Sequence, residues 1–183
     1  MHLVGHSFGG LVGLAVALRG RVPLASLSVL EAPAPGSLAV AGRDADYAAF
    51  REMTDAYAAD FRGGNPAAIA TVIDFYGGAG TFAAWPQGAR DFAMATTPTN
   101  LLDWIGAYAF KPEVADLRGL TMPRLVVAGA DSHPAVIAAN RLIAEAVPKS
   151  RFELIPGSAH FMIVTHAAAV AFMVAEQVQS VPG

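Results

Sequence analysis

The chain of 183 residues has no cysteine, which excludes disulfides, thiolate metal sites and a cysteine nucleophile. Charge is also scarce. Only 15% of residues are Asp, Glu, Lys or Arg, and a net charge of −3 offers no basic stripe to a nucleic-acid backbone. The hydrophobic fraction is high at 54%. Even so, the longest apolar stretches, Leu11 to Leu18 and Ala167 to Ala175, are shorter than the roughly 20 residues that a membrane span needs. No positively charged segment precedes the first apolar run, so a secretory leader is not expected. There is no phosphate loop and no His/carboxylate cluster at ligand spacing, so neither a nucleotide nor a metal cofactor is implied. These absences predict one soluble domain with a real core, in the cytoplasm, without nucleic acid or membrane among its partners.

What is present alternates. Met1 to Gly5, Leu24 to Leu30, Arg124 to Gly129 and Arg151 to Ile155 are short, rich in Val, Leu or Ile, and bounded by Gly or Pro. That is the pattern of buried parallel strands. Leu11 to Leu18 is apolar all round and predicts a helix buried on most sides. Pro134 to Val147 opens on proline and repeats apolar residues at Val136, Ala139, Ile143 and Ala146. Thr165 to Gln179 predicts a last helix with Thr165 as its cap. Strand alternating with helix gives an α/β fold, a parallel sheet of about four strands flanked by helices. Residues 42–120 differ. Tyr47, Phe50, Tyr57 and Phe61, then Ile69 to Tyr76, form helical patterns broken by Gly63-Gly64 and Gly77-Gly78, with no convincing strand. The division that follows is a core of 1–41 and 121–183 with a helical cap at 42–120.

Residues 3 to 10 read Leu-Val-Gly-His-Ser-Phe-Gly-Gly, a G-x-S-x-G motif between an apolar strand and a helix. A serine hydroxyl is a weak nucleophile until a base takes its proton and donors hold the oxyanion. Gly5 and Gly9 flank Ser7, as a turn too tight for side chains beside the nucleophile would require. The same turn puts the Phe8 N–H at a helix N-terminus, where it can donate to an oxyanion. A base belongs after the last strand. Ile155-Pro156-Gly157-Ser158-Ala159-His160-Phe161 supplies one, His160 standing 153 residues after Ser7. His6 is expected beside the nucleophile. His2 and His166 read as structural.

With these motifs the sequence resembles the α/β-hydrolase superfamily, most of all its bacterial members with small helical caps. The resemblance covers most of the chain: the elbow, the strand ending Leu30-Glu31-Ala32-Pro33, the cap, Met122 to Gly129, and the turn with His160. It implies a Ser-His-acid triad and leaves two positions for the acid. Asp131 follows the strand before the last, one residue earlier than the usual Gly-x-x-Asp. Glu31 stands after the strand that follows the elbow, 24 residues from Ser7. A buried carboxylate at either place could orient the histidine. The family also has about four strands and two helices before the elbow, and here the sequence starts at Met1. The loop that supplies a second oxyanion donor is therefore expected to be absent or replaced by a partner chain. The first strand is expected to be an exposed apolar edge, so a homo-oligomer joined through it is anticipated.

The activity implied is serine hydrolysis of a small ester or related acyl substrate, in a pocket lined by His6, Tyr76, Phe82 and Trp85. Its aromatic character suits a hydrophobic acyl or aryl group. The competing reading is a truncated, weak or inactive scaffold acting through association. A third keeps the fold but runs cofactor-free oxygenase or lyase chemistry. A serine at position 7 disfavours haloalkane dehalogenation, whose nucleophile is a carboxylate.

Overall fold

Four short apolar segments, β1 (His2–His6), β2 (Ser26–Leu30), β3 (Arg124–Gly129) and β4 (Ser150–Ile155), form one parallel sheet in chain order. The computed structural model describes residues 1–146, 148 and 150–181. Every residue of β2 and β3 is buried, the polar Ser26, Ser28 and Arg124 included, as befits central strands of a parallel sheet covered on both faces. Across the sheet Gly5 pairs with Val29, Val29 with Val126, and Val126 with Phe152. Side chains alternate between the faces. Leu27, Val29 and Val126 join the larger core, while Leu30, Leu125 and Val127 join a smaller one with Ile155, Met162 and Val170.

Among the described residues ten helices surround the sheet: α1 (Phe8–Arg19), α2 (Pro35–Val40), α3 (Asp44–Arg62), α4 (Ala70–Gly77), α5 (Thr81–Ala84), α6 (Gln87–Ala109), α7 (Val114–Arg118), α8 (Pro134–Ala146), α9 (Met162–Thr165) and α10 (Ala167–Gln179). Among the described residues no strand lies between β2 and β3, as the aromatic pattern of residues 42–120 predicts. None of the described helices is long and apolar enough to cross a membrane.

Of the helix expectations one is met, one needs correction and one reaches beyond the described residues. Along Leu11 to Leu18 α1 is covered on most sides, as expected: Leu11, Gly13, Leu14 and Ala17 are buried and Val12 alone is exposed, at 47%. Alanine, valine and glycine supply apolar character without revealing which side faces the core. Thr165 does not cap α10. Its hydroxyl donates to the Phe161 carbonyl (3.2 Å) at the end of α9, and His166 stands at the N-cap. α8 is described through Ala146, and Val147, its expected end, lies outside the described residues.

The helices between β2 and β3 are bound to the sheet layer through aromatic packing. Phe50 of α3 is fully buried, against Phe75 of α4 (ring centroids 5.5 Å apart) and Trp104 of α6 (6.1 Å). Phe75 stacks in turn on His133, just before α8 (4.2 Å). Truncating such a hub removes buried area and leaves a cavity. Phe50→Ala is expected to cost about 3–5 kcal/mol of stability in urea denaturation. A loss below about 1 kcal/mol would mean that other contacts hold these helices.

Candidate active site

The C-terminal ends of all four strands converge on one place, as parallel sheets dictate. β1 delivers Ser7. Its backbone has φ 54° and ψ −130°, a conformation that costs a side-chain-bearing residue of order 1–3 kcal/mol. The Ser7 N–H donates to the Leu30 carbonyl (2.9 Å), tying the turn to β2. Gly5 is obligatory by space, since a Cβ there would lie 2.3 Å from the Gly9 carbonyl oxygen. Gly9 is not. A Cβ at position 9 would meet nothing within 4 Å, and the second crowded position is Gly10, against Val29 and Ala32 (3.2 Å each). The expected crowding thus lies one residue further on, where α1 presses on the sheet. Phe8 opens α1, and its N–H has no acceptor among the described residues, as first-turn N–H groups lack one within the helix.

β2 delivers Glu31, which is fully buried and also has positive φ, 50°. Ser7 and Glu31 are the only non-glycine residues with positive φ among those described. The Glu31 carboxylate accepts from the Gly129 N–H (2.7 Å), the Ser132 hydroxyl (2.9 Å) and His160 Nδ1 (3.0 Å). On its other side His160 Nε2 lies 3.0 Å from Ser7 Oγ. A carboxylate accepts only, so Nδ1 carries the proton and Nε2 is free to receive the serine's. The run from Ser7 to Glu31 is unbroken.

The histidine is clamped on every side. Its N–H donates to the Tyr76 carbonyl (3.3 Å), its carbonyl accepts from His6 Nε2 (2.8 Å), and the Tyr76 ring packs at 4.2 Å. Gly129 permits the loop to approach, since a Cβ there would lie 2.3 Å from the Ser158 carbonyl oxygen. Asn140 of α8, fully buried, holds the backbone after Glu31. Its Oδ1 accepts from the Ala32 N–H (2.9 Å) and its Nδ2 donates to the Ala32 carbonyl (3.1 Å). Sequence reading missed Ser132, Gly129 and Asn140 as supports. Only a buried polar residue on the apolar face of α8 could have signalled Asn140.

Of the two acid positions, the structure brings Glu31 to His160 and leaves Asp131 exposed. The Asp131 N–H donates to the Ser158 carbonyl (2.9 Å), which fixes the loop, while Ser132 and not Asp131 turns inward to the carboxylate. Above Ser7 lies a cavity of about 340 Å³, walled chiefly by α4 and α6. Tyr76 and Trp85 line it, with Phe8, Phe161 and Trp104. His6 and Phe82 do not. His6 is engaged below with the His160 carbonyl, and Phe82 packs against the core while its N–H donates to Asp74 (2.8 Å).

Residues 2–171 match the model of the alpha/beta hydrolase family. The chain belongs to that family. Comparison with curated proteins gives no match. Among solved structures the chain is similar to the enol-lactonase from Burkholderia xenovorans LB400 (20% identity, TM-score 0.70, 98% of this chain and 65% of that one). It is similar also to an esterase from Exiguobacterium antarcticum (18%, 0.73, 98% and 66%) and to a thermophilic esterase from Thermogutta terrifontis (24%, 0.66, 96% and 63%). The chain therefore spans somewhat less than two thirds of the length of these family structures. The shared feature is the fold.

Two histidines here titrate below the usual 6.5: His6 through burial and then the neighbouring His160 imidazole, and His133 through burial. For both, the folded protein binds the proton less readily than the unfolded chain. Their stabilising contribution is thus complete above about pH 6.5 and is lost as pH falls through that value toward the folded pKa. His6→Gln keeps an N–H donor but cannot titrate. Its urea midpoint is expected to fall less steeply than that of the parent between about pH 7.5 and 5. Equal slopes would show that His6 is not linked to folding.

Proposed function

We propose that the protein is a serine hydrolase that cleaves a small ester or related acyl substrate through Ser7, His160 and Glu31. The observation that carries this reading is the unbroken hydrogen-bond run Ser7 Oγ to His160 Nε2 and His160 Nδ1 to Glu31, beneath a largely apolar cavity. Membership of the family supports it, as do the esterase and enol-lactonase names of similar structures.

In this mechanism the substrate carbonyl carbon is attacked by Ser7 Oγ while His160 Nε2 takes the hydroxyl proton. The carbonyl π electrons move to oxygen, and the Phe8 N–H donates to the oxyanion formed. Glu31 remains ionised and stabilises the imidazolium. As the tetrahedral species collapses, His160 returns its proton to the departing alkoxide and an alcohol leaves. Water then attacks the Ser7 ester with His160 as base, releasing the carboxylic acid and restoring the serine. The helices of residues 42–120 act as a cap that sets the acyl pocket, in which Tyr76 and Trp85 touch the substrate.

A fluorophosphonate probe followed by peptide mass spectrometry tests this without a known substrate. Labelling is expected at Ser7 and lost in Ser7→Ala and His160→Ala. Glu31→Gln should lower the labelling rate by about 10³- to 10⁴-fold, and Asp131→Asn should leave it unchanged. A folded protein that takes no label would refute the reading and favour a scaffold without activity.

We propose further that copies associate through β1. This strand lies at the edge of the described sheet with Val4 44% exposed, an arrangement that invites strand pairing. Light scattering at micromolar concentration is expected to give a dimer, and a monodisperse monomer would overturn the proposal.

A further inference from the structure

Helix α6 crosses the site from one side of the Ser7–His160 pair to the other. Its C-terminal part lies over the serine: a Cβ on Gly106 would stand 3.6 Å from Cζ of Phe8, the residue after Ser7. Its start lies over the histidine. Trp85, two residues before α6, meets Phe161 edge to face with ring centroids 5.0 Å apart, and Phe161 meets His160 in the same manner at 5.3 Å. Phe92 stands on the second turn of α6, about 21 Å of helix rise from Gly106. It borders the same cavity as Trp85 and Phe161.

Much of the cavity wall is closed, with Ile69, Val72, Ile73 and Trp104 buried. The three rings at the start of α6 keep open surface. Trp85 and Phe161 are half-buried, and Phe92 is 71% exposed. Rings bury large apolar areas and prefer edge-to-face or offset partners, so an open cluster of three favours a fourth ring laid against it.

The proton transfers fix which part of an ester lies there. The tetrahedral carbon holds four groups: Ser7 Oγ, the oxyanion at the Phe8 N–H, the leaving oxygen and the acyl chain. Collapse breaks the bond to the leaving oxygen, whose electron pair takes the proton from His160 Nε2. That oxygen must lie within hydrogen-bond reach of the imidazole. Its carbon substituent therefore continues on the histidine side, toward Phe161, Trp85 and Phe92. The acyl chain takes the remaining direction, away from the histidine.

We infer that Trp85, Phe92 and Phe161 form the leaving-group subsite, and that the protein prefers esters of arylmethyl alcohols to esters of plain alkyl alcohols. The assignment rests on the hydrolase reading and narrows it: Trp85 touches the alcohol half of the substrate.

The test is kcat/KM for benzyl, cyclohexylmethyl and methyl acetate, compared within each protein so that a change in stability cancels. This constant covers the steps up to departure of the alcohol, where the subsite acts. The benzyl ester is expected to be favoured over the methyl ester by about tenfold or more. Over the size-matched cyclohexylmethyl ester it should be favoured by about threefold, the worth of an aromatic pair. Phe92→Ala, at an exposed position, should lower the benzyl-to-methyl ratio by about fivefold. Phe92→Leu keeps apolar area and should lose chiefly the preference for benzyl over cyclohexylmethyl. In both variants the ratio of methyl hexanoate to methyl acetate should be unchanged, since the acyl chain lies elsewhere. Inhibition of the parent by benzyl alcohol reads the same subsite without an ester bond, and it should weaken by about fivefold in Phe92→Ala. Hydrolysis with no benzyl preference, or with a preference indifferent to Phe92→Ala, would overturn the subsite and leave the hydrolase standing. Failure to hydrolyse any of these esters, with no fluorophosphonate label at Ser7, would overturn both.

Discussion

A single buried carboxylate organises this molecule. Burying a charge is costly unless hydrogen bonds replace its water. Glu31 has three donors: the Gly129 N–H, the Ser132 hydroxyl and the ring of His160. The first two come from the end of β3 and the loop after it, the third from beyond β4. The carboxylate thus fastens the end of β2 to the ends of two later strands. Three neighbouring features are conditions for that arrangement: the missing side chain at Gly129, the grip of Asn140 on Ala32, and the positive φ of Glu31 itself.

Those conditions explain what could be read from the sequence and what could not. Strands β1 to β4 were legible because each is a short apolar run between breakers. Ser7 was legible because G-x-S-x-G is a local constraint, and His160 because it follows the last strand. The acid was not. Glu31 and Asp131 each stand just beyond a strand, and only the pairing of β2 beside β3 decides which one meets the histidine. Ser132 and Asn140 were invisible for the same reason, since their partners lie 101 and 108 residues away.

The largest blind spot was α6. It spans 23 residues and forms much of the cavity wall, yet its sequence gives no helical stripe. It contains Pro98 and three threonines, and its inward face carries alanine, asparagine and aspartate as well as tryptophan. A helix that faces a hollow rather than a packed core has no reason to be uniformly apolar on that side. His6 and Phe82 failed as pocket residues through the reverse error. Proximity in sequence to Ser7, or to an aromatic cluster, says nothing about which side of the chain faces the space.

The backbone at Ser7 and Glu31 carries one more implication. Both residues occupy a region of conformational space that glycine enters almost without penalty and other residues do not. At both ends of the hydrogen-bond run the backbone conformation alone therefore favours glycine, by of order 1–3 kcal/mol, and the contacts of the Ser7 and Glu31 side chains are set against that cost. In a chain with 18 glycines elsewhere, serine and glutamate thus stand at two positions whose backbone would suit glycine.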